Sequence, residues 1–293
     1  MLIESFLNYL KLERNYSDKT ILSYGKDLEQ FEKFLKKLDE KIKLETVDAD
    51  LIRSWVIDLM DEKMAASSVN RKLSSLRSFY RYLLRKGLVL VDPVQKVTGP
   101  KKKKPLPTFV KEEDMNRLLD EVPFGDDFEG VRDKLILEVF YVTGVRRSEL
   151  VALNDADIDY SASTIKVTGK RNKQRLIPFG ERLKGMLSTY QQLRDEMIPQ
   201  RSEAFFVKKN GERVTAGLVY NMVKRDLSKV VTLKKRSPHV LRHSFATNML
   251  NNRASLGAVK ELLGHERLTT TEIYTHTTFE ELKKEYEHAH PRA

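Results

Sequence analysis

The sequence predicts a mostly α-helical protein of two domains: a small helical domain, then an α+β domain with a small antiparallel sheet. Three observations lead there. Apolar residues recur at steps of three and four through the first hundred positions. The string GPKKKKPLP at 99–107 interrupts any regular structure. Two short β-branched runs, TIKVT at 164–168 and QRLIPF at 174–179, flank GKRNK as a hairpin would. The domains expected are therefore 1–98 and 108–293, with 99–107 as a basic linker.

Taking the elements in order, Ser17 is placed to cap a helix bearing Ile21, Tyr24, Leu28, Phe31 and Leu35 on one face. A second helix, around 49–62, gathers Leu51, Trp55, Leu59 and Met60. A third starts near Ser67 or Ser68 and runs to Lys86. Its buried stripe would be Val69, Leu73, Leu76, Tyr80 and Leu83, with Gly87 ending it. Residues 111–122 and 129–142 read as helices. Helices dominate again from about 180 to the end, and no internal repeat is present.

Charge is concentrated. Residues 1–52 carry nine basic and eleven acidic side chains, residues 53–107 thirteen and four. The third helix holds Arg71, Lys72, Arg77, Arg81, Arg85 and Lys86 and no acid. Arg77, Arg81 and Arg85 are four apart and share a face, which suits a helix tracking a phosphate backbone; a solvated basic face is the plainer alternative. Lys101, Lys102, Lys103 and Lys104 would act as a flexible tether, a cationic strap on DNA, or both. A net charge of +11 points to a polyanionic partner.

The 293 residues include no cysteine, which excludes disulfides and thiolate metal sites. The opening MLIESFLNYLKLERN lacks the apolar stretch of a signal peptide, and no apolar run is long enough to span a bilayer. A soluble, cytoplasmic protein with no membrane partner is expected.

The chemistry is concentrated in the second domain. In TGVRRSEL, Gly144 breaks one helix and Arg146 stands at the start of the next, where free N–H groups favour anions. Lys170 follows Gly169 on the hairpin. In HVLRH, His239 and Arg242 are three apart and share a helical face. LLGH ends on His265, and TEIYTH contains Tyr274. Alone, each has an ordinary reading: a surface ion pair, a solvated lysine, a packed tyrosine.

Together these strings resemble the tyrosine recombinase (phage integrase) family, and are particularly similar to its Xer branch, the XerC/XerD group. The resemblance covers nearly the whole chain and rests on TGVRRSEL, GKRNKQRLIP, HVLRHSFAT, ELLGHERLTTTEIYTH and AHPRA. From Arg146 to Lys170 is 24 residues, from His239 to Arg242 is 3, on to His265 is 23, and to Tyr274 is 9. It implies a SAM-like helical core-binding domain ahead of the catalytic domain. It implies catalytic roles for Arg146, Lys170, His239, Arg242, His265 and Tyr274, and a supporting role for Glu149. Arg171 stands where glycine often follows the lysine, and Arg147 where an apolar residue is more usual.

Those roles suit phosphoryl transfer. Two guanidiniums can neutralise the non-bridging oxygens of the pentacoordinate phosphorus. A tyrosine hydroxyl becomes a nucleophile once a histidine accepts its proton. A lysine can protonate the leaving 5′-oxygen. The phosphotyrosine conserves the bond energy, so no metal, ATP or other cofactor is expected. The implied partners are a double-stranded DNA recombination site and a homo- or hetero-tetramer on two such sites. A paralogous Xer subunit and an FtsK-type DNA translocase are further implied partners. The expected activity is Xer-type chromosome dimer resolution. The alternatives are a mobile-element integrase or DNA invertase, a type IB topoisomerase-like nickase, and a non-catalytic DNA-binding protein on this fold. The C-terminal pattern Phe279, Leu282, Tyr286 needs a cover. The resemblance favours a neighbouring subunit over the chain's own domain.

Overall fold

The computed structural model describes residues 2–101, 108–169, 172–233, 235–264 and 279–292. The chain divides into two compact units, Met1–Pro105 and Leu106–Ala293.

The first unit is built from α1 (Leu2–Leu12), α2 (Asp18–Leu38), α3 (Ala49–Asp61) and α4 (Ala66–Arg85). The Ser17 hydroxyl caps α2 by accepting from the Thr20 N–H. Along α4, Val69, Leu73, Leu76, Tyr80 and Leu83 are fully buried, as their spacing requires. Gly87 follows the helix with φ +69°. Two expectations change. α4 begins at Ala66 behind Ala65, ahead of where a serine cap would place it, with no side-chain cap. On α3 the buried stripe is Ile52, Trp55 and Leu59, whereas Met60 is 40% exposed. Met60 lies one position beyond Leu59, about 100° round the helix and off that face.

The acid-free surface of α4 also differs from its sequence reading. Lys72 is buried, its ammonium held by Asp27 Oδ1 at 3.0 Å and by Gln30 Oε1. Arg71 grips the same carboxylate with both Nη atoms, the Nη2–Oδ1 distance being 2.8 Å. The counter-charge thus comes from α2, and Lys72 is not presented to solvent or to a phosphate. Arg77 donates to Val97 O at 2.9 Å and Arg85 to Tyr9 Oη at 2.6 Å. Arg81 and Arg85 remain exposed. Of the linker lysines, Lys101 is exposed; Lys102, Lys103 and Lys104 lie outside the described residues.

The second unit opens with α5 (Glu112–Asn116), continued by a π turn, and α6 (Phe128–Thr143). From Leu135 to Val145 every residue is buried, so α6 is the central helix of this unit. It packs against α8 (Glu181–Met197) and α10 (Pro238–Asn251). Between them lie α7 (Arg147–Ala152), the sheet and α9 (Ala216–Leu227). The sheet is antiparallel, in the order β1 (Ile158–Asp159), β2 (Thr164–Thr168), β3 (Gln174–Pro178). Its register pairs Ile165 with Ile177 and Val167 with Arg175. The unit ends with α11 (Leu256–Leu263) and α12 (Phe279–Ala289).

The apolar face of α12 is covered by its own unit, not left for a neighbour. Leu282, Tyr286 and Ala289 are buried, and α12 packs on α10 and α11. A polar clasp follows. The His290 ring stacks between Tyr286 and Phe245, with centroids at 5.6 and 5.5 Å. Its Nε2 lies 3.1 Å from Tyr141 O, and its Nδ1 accepts the Arg292 N–H at 3.1 Å. A carbonyl only accepts, so His290 is the neutral Nε2–H tautomer. Arg292 reaches both oxygens of the fully buried Glu138 at 3.1 Å.

Burial pushes the His290 pKa down to about 4, and protonation would also set a donor against the Arg292 N–H. The unfolded chain protonates near 6.5 and the folded one near 4. This contribution is therefore complete above 6.5 and is lost as pH falls toward 4. It amounts to roughly 3 kcal/mol. In urea melts followed by circular dichroism, the stability advantage of wild type over His290→Gln should shrink by about that amount on acidification. The fluorescence of Trp55, the single tryptophan, reports the first unit separately.

Candidate active site

Gly144 ends α6 in the left-handed conformation, at φ +60°. A Cβ there would lie 2.6 Å from Phe245 Cδ1 and 2.9 Å from Leu263 Cδ2. Only glycine lets α6, α10 and α11 meet so closely. The chain then enters α7 with Arg146 as its N-cap. The carboxylate of Glu149, on the first turn, accepts the Arg146 backbone N–H at 2.8 Å and its Nη1 at 2.7 Å. One of the N–H groups expected to favour an anion at this helix start, that of Arg146, is thus occupied internally.

Glu149 is 3% exposed. Arg175 of β3 pairs with it bidentately, Nη1 to Oε1 at 3.0 Å and Nη2 to Oε2 at 2.9 Å. Burial works to raise the Glu149 pKa, but hydrogen bonds from Arg175 and Arg146 outweigh it and hold the carboxyl below its ordinary value.

The end of α11 brings the remaining groups together. The last carbonyls of a helix lack intrahelical partners. Here three consecutive ones take guanidinium donors from three elements. Leu262 O accepts Arg175 Nε at 2.7 Å, Leu263 O accepts Arg242 Nη2 at 2.6 Å, and Gly264 O accepts Arg146 Nη2 at 3.0 Å. The negative end of the helix dipole suits three cations. Arg242 also donates to Gly144 O at 2.6 Å. Gly264 has φ +64°, and a Cβ on it would lie 3.2 Å from Arg175 Nη1.

Three guanidiniums therefore surround one carboxylate. Arg242 shows the strain electrostatically: burial, and next the charge of Arg146, push its pKa down to about 10. His239 is on the exposed side of α10, one turn before Arg242. Packing around its ring, then the charges of Arg147, Arg242, His243 and Arg146, lower its pKa and keep it neutral near pH 7. Arg147 is accommodated by α9: its Nη1 donates to Ala216 O at 3.1 Å and its guanidinium lies 5.5 Å over the Tyr220 ring.

Arg146, Glu149 and Arg242 are thus brought into one cluster, with His239 on the helix that supplies Arg242. Lys170, His265 and Tyr274 lie outside the described residues. Arg175 belongs to the cluster but was not singled out from sequence. The available signal was strand alternation, which puts Arg175 on the same face as the buried Ile177.

The sequence pattern of the phage integrase family matches residues 108–281, and that of the phage integrase N-terminal SAM-like domain matches 3–87. The chain belongs to the phage integrase family. It is a tyrosine recombinase, an enzyme that cuts and rejoins DNA strands, and its recombination is of the site-specific Xer type. A relative in Chlorobaculum parvum, the tyrosine recombinase XerC, is 41% identical over 317 residues, spanning 99% of this chain and 94% of the relative. The pre-cleavage complex of the XerH site-specific recombinase bound to its difH substrate superposes with a TM-score of 0.71. It is 22% identical and covers 96% of this chain and 83% of that one. A lambda integrase tetramer bound to a Holliday junction gives 0.67 at 18% identity, covering 92% and 74%. Among the described residues no helix is long and apolar enough to cross a membrane.

Glu149→Gln should cost about 2 kcal/mol of stability at neutral pH, since it weakens charge-assisted hydrogen bonds to two arginines. A depressed carboxyl pKa stabilises above the unfolded value and ceases to do so as pH falls through the folded one. The difference between wild type and variant should therefore close below 4.5, the ordinary glutamate value, in denaturant melts over a pH series.

Proposed function

We propose that this chain exchanges strands between two copies of a DNA recombination site through a 3′-phosphotyrosyl intermediate and a Holliday junction. The observation that carries this reading is the cluster of three guanidiniums around one carboxylate, a cationic seat that one phosphodiester would relieve. Arg146 and Arg242 hold the non-bridging oxygens of the scissile phosphate. The Tyr274 hydroxyl attacks phosphorus, His239 accepts its proton, and the phosphorus–O5′ bond breaks. Lys170 protonates the departing O5′. His265 is the second histidine of the set, and Glu149 supports the arginines. Religation reverses these steps with a new 5′-hydroxyl.

The biological role proposed is chromosome dimer resolution at cell division, in the cytoplasm, by four subunits on two sites. A paralogous recombinase and an FtsK-type translocase are the proposed partners. The similarity to XerC relatives along the whole chain supports this. Tyr274→Phe should bind DNA as wild type does and form no denaturation-resistant protein–DNA adduct. An adduct in that variant would remove Tyr274 from the role. Chromatin immunoprecipitation of the same variant should give a single peak near the replication terminus. Peaks at mobile-element ends would show an integrase instead.

DNA binding is proposed for the exposed part of α4 and for the linker: Arg71, Arg77, Arg81, Arg85 and Lys101 to Lys104. Replacing Arg81 and Arg85 by Gln should flatten the plot of log affinity against log salt by about 1 for each phosphate no longer neutralised. Lys72→Met should leave that slope unchanged and lower the stability of the first unit, because Lys72 is bound to Asp27. Anisotropy titrations on a random-sequence duplex at several salt concentrations measure the slope.

A further inference from the structure

We propose that Arg175 is a positioning residue for strand cleavage, which occupies one side of Glu149 so that Arg146 stays turned toward the scissile phosphate. The proposal rests on the recombinase reading and extends it to a residue outside the set of motif residues.

A carboxylate such as that of Glu149 offers about four lone-pair positions. All four are used: Oε1 takes Arg146 Nη1 and Arg175 Nη1, and Oε2 takes the Arg146 backbone N–H and Arg175 Nη2. Arg175 makes the fork-to-fork pair, the preferred geometry between arginine and a carboxylate. Arg146 is left with a single Nη hydrogen bond to that carboxylate, and its other Nη goes to Gly264 O. Its side chain is 29% exposed, against 14% for Arg175. Arg146 is thus pinned at two points from two elements, and among the described residues its guanidinium donates to no others.

Removing Arg175 would change both geometry and charge. Glu149, buried and ionised, would keep Arg146 as its nearest cation, and the fork-to-fork arrangement would become open to Arg146. Turning into that pair would draw Arg146 from the Gly264 carbonyl and neutralise its charge. The Leu262 carbonyl would lose its donor in the same step. Arg175 also links β3, which begins four residues after Lys170, to the last turn of α11, immediately before His265. Gly264 suits this place through its positive φ of +64°, and a Cβ on it would sit in tight contact with this guanidinium.

The test uses the full-length protein and a nicked duplex carrying the site mapped by immunoprecipitation, with adduct formation timed at saturating protein. Arg175→Gln should bind this duplex as wild type does and cleave it roughly a hundredfold more slowly, the scale of an ångström-sized misplacement. Arg175→Lys, which keeps the charge and one donor, should lie between the two. The deciding readout is the same duplex with a methylphosphonate at the scissile position. That group lacks the non-bridging charge that Arg146 is proposed to neutralise. The deficit of Arg175→Gln should shrink on it, in parallel with that of Arg146→Ala. Equal deficits on both duplexes, in Arg175→Gln and in Arg175→Lys, would make Arg175 merely structural and overturn the inference. So would wild-type cleavage by Arg175→Gln. If wild type itself forms no adduct, the recombinase reading fails and this inference falls with it. If wild type cleaves and Arg146→Ala is rescued but Arg175→Gln is not, only the inference fails.

Discussion

The buried carboxylate of Glu149 is the interaction on which the catalytic unit depends. An ionised glutamate with 3% exposure persists only when its lone pairs are filled, and both Arg146 and Arg175 are needed to fill them. Those arginines arrive from a helix start and a strand. Each donates its remaining anchoring hydrogen bond to a carbonyl at the end of α11. One acid thereby sets the relative placement of α7, β3 and α11. Arg242 completes the set by bridging the ends of α6 and α11 through Gly144 O and Leu263 O.

The same arrangement explains why the cluster is poised for an anion. Backbone carbonyls satisfy guanidinium hydrogen bonds without cancelling the positive charge. Among the described residues, three arginines are therefore held in place with one formal counter-charge, and burial, together with the charge of Arg146, lowers the pKa of Arg242. A second carboxylate in the cluster would have made the unit more comfortable and the site less useful. Two of the left-handed glycines, Gly144 and Gly264, serve this end. A Cβ on Gly144 would collide with Phe245 and Leu263, and one on Gly264 would press closely on Arg175.

Away from the site, buried charges act as clasps. Arg292 on Glu138 and His290 between aromatic rings fasten the C-terminal segment to the core helix α6. In the first unit, Asp27 gathers Arg71, Lys72 and Ser75 and ties α2 to α4. Lys72, whose charge looked available for a phosphate, is thus used within its own unit, as is the apolar face of α12 that looked open to a neighbouring subunit.

Much of the fold was legible in the sequence because helix faces and hairpins are local patterns. The stripe on α4, the Ser17 cap, the break at Gly144 and the strands around GKRNK each follow from spacing over a few residues. So were the types and order of the motif residues, Arg146, Glu149, His239 and Arg242 among them. The choice of partner for each charge was not legible. Lys72 and Asp27 are 45 residues apart, and Arg175 and Glu149 are 26 apart. Nothing local distinguishes a basic residue that will meet a buried acid from one that will meet solvent. The carbonyls that seat the three arginines were hidden for a simpler reason. Every residue has one, and only the tertiary placement of the end of α11, beside α10, β3 and the start of α7, brings its last carbonyls within reach of a guanidinium.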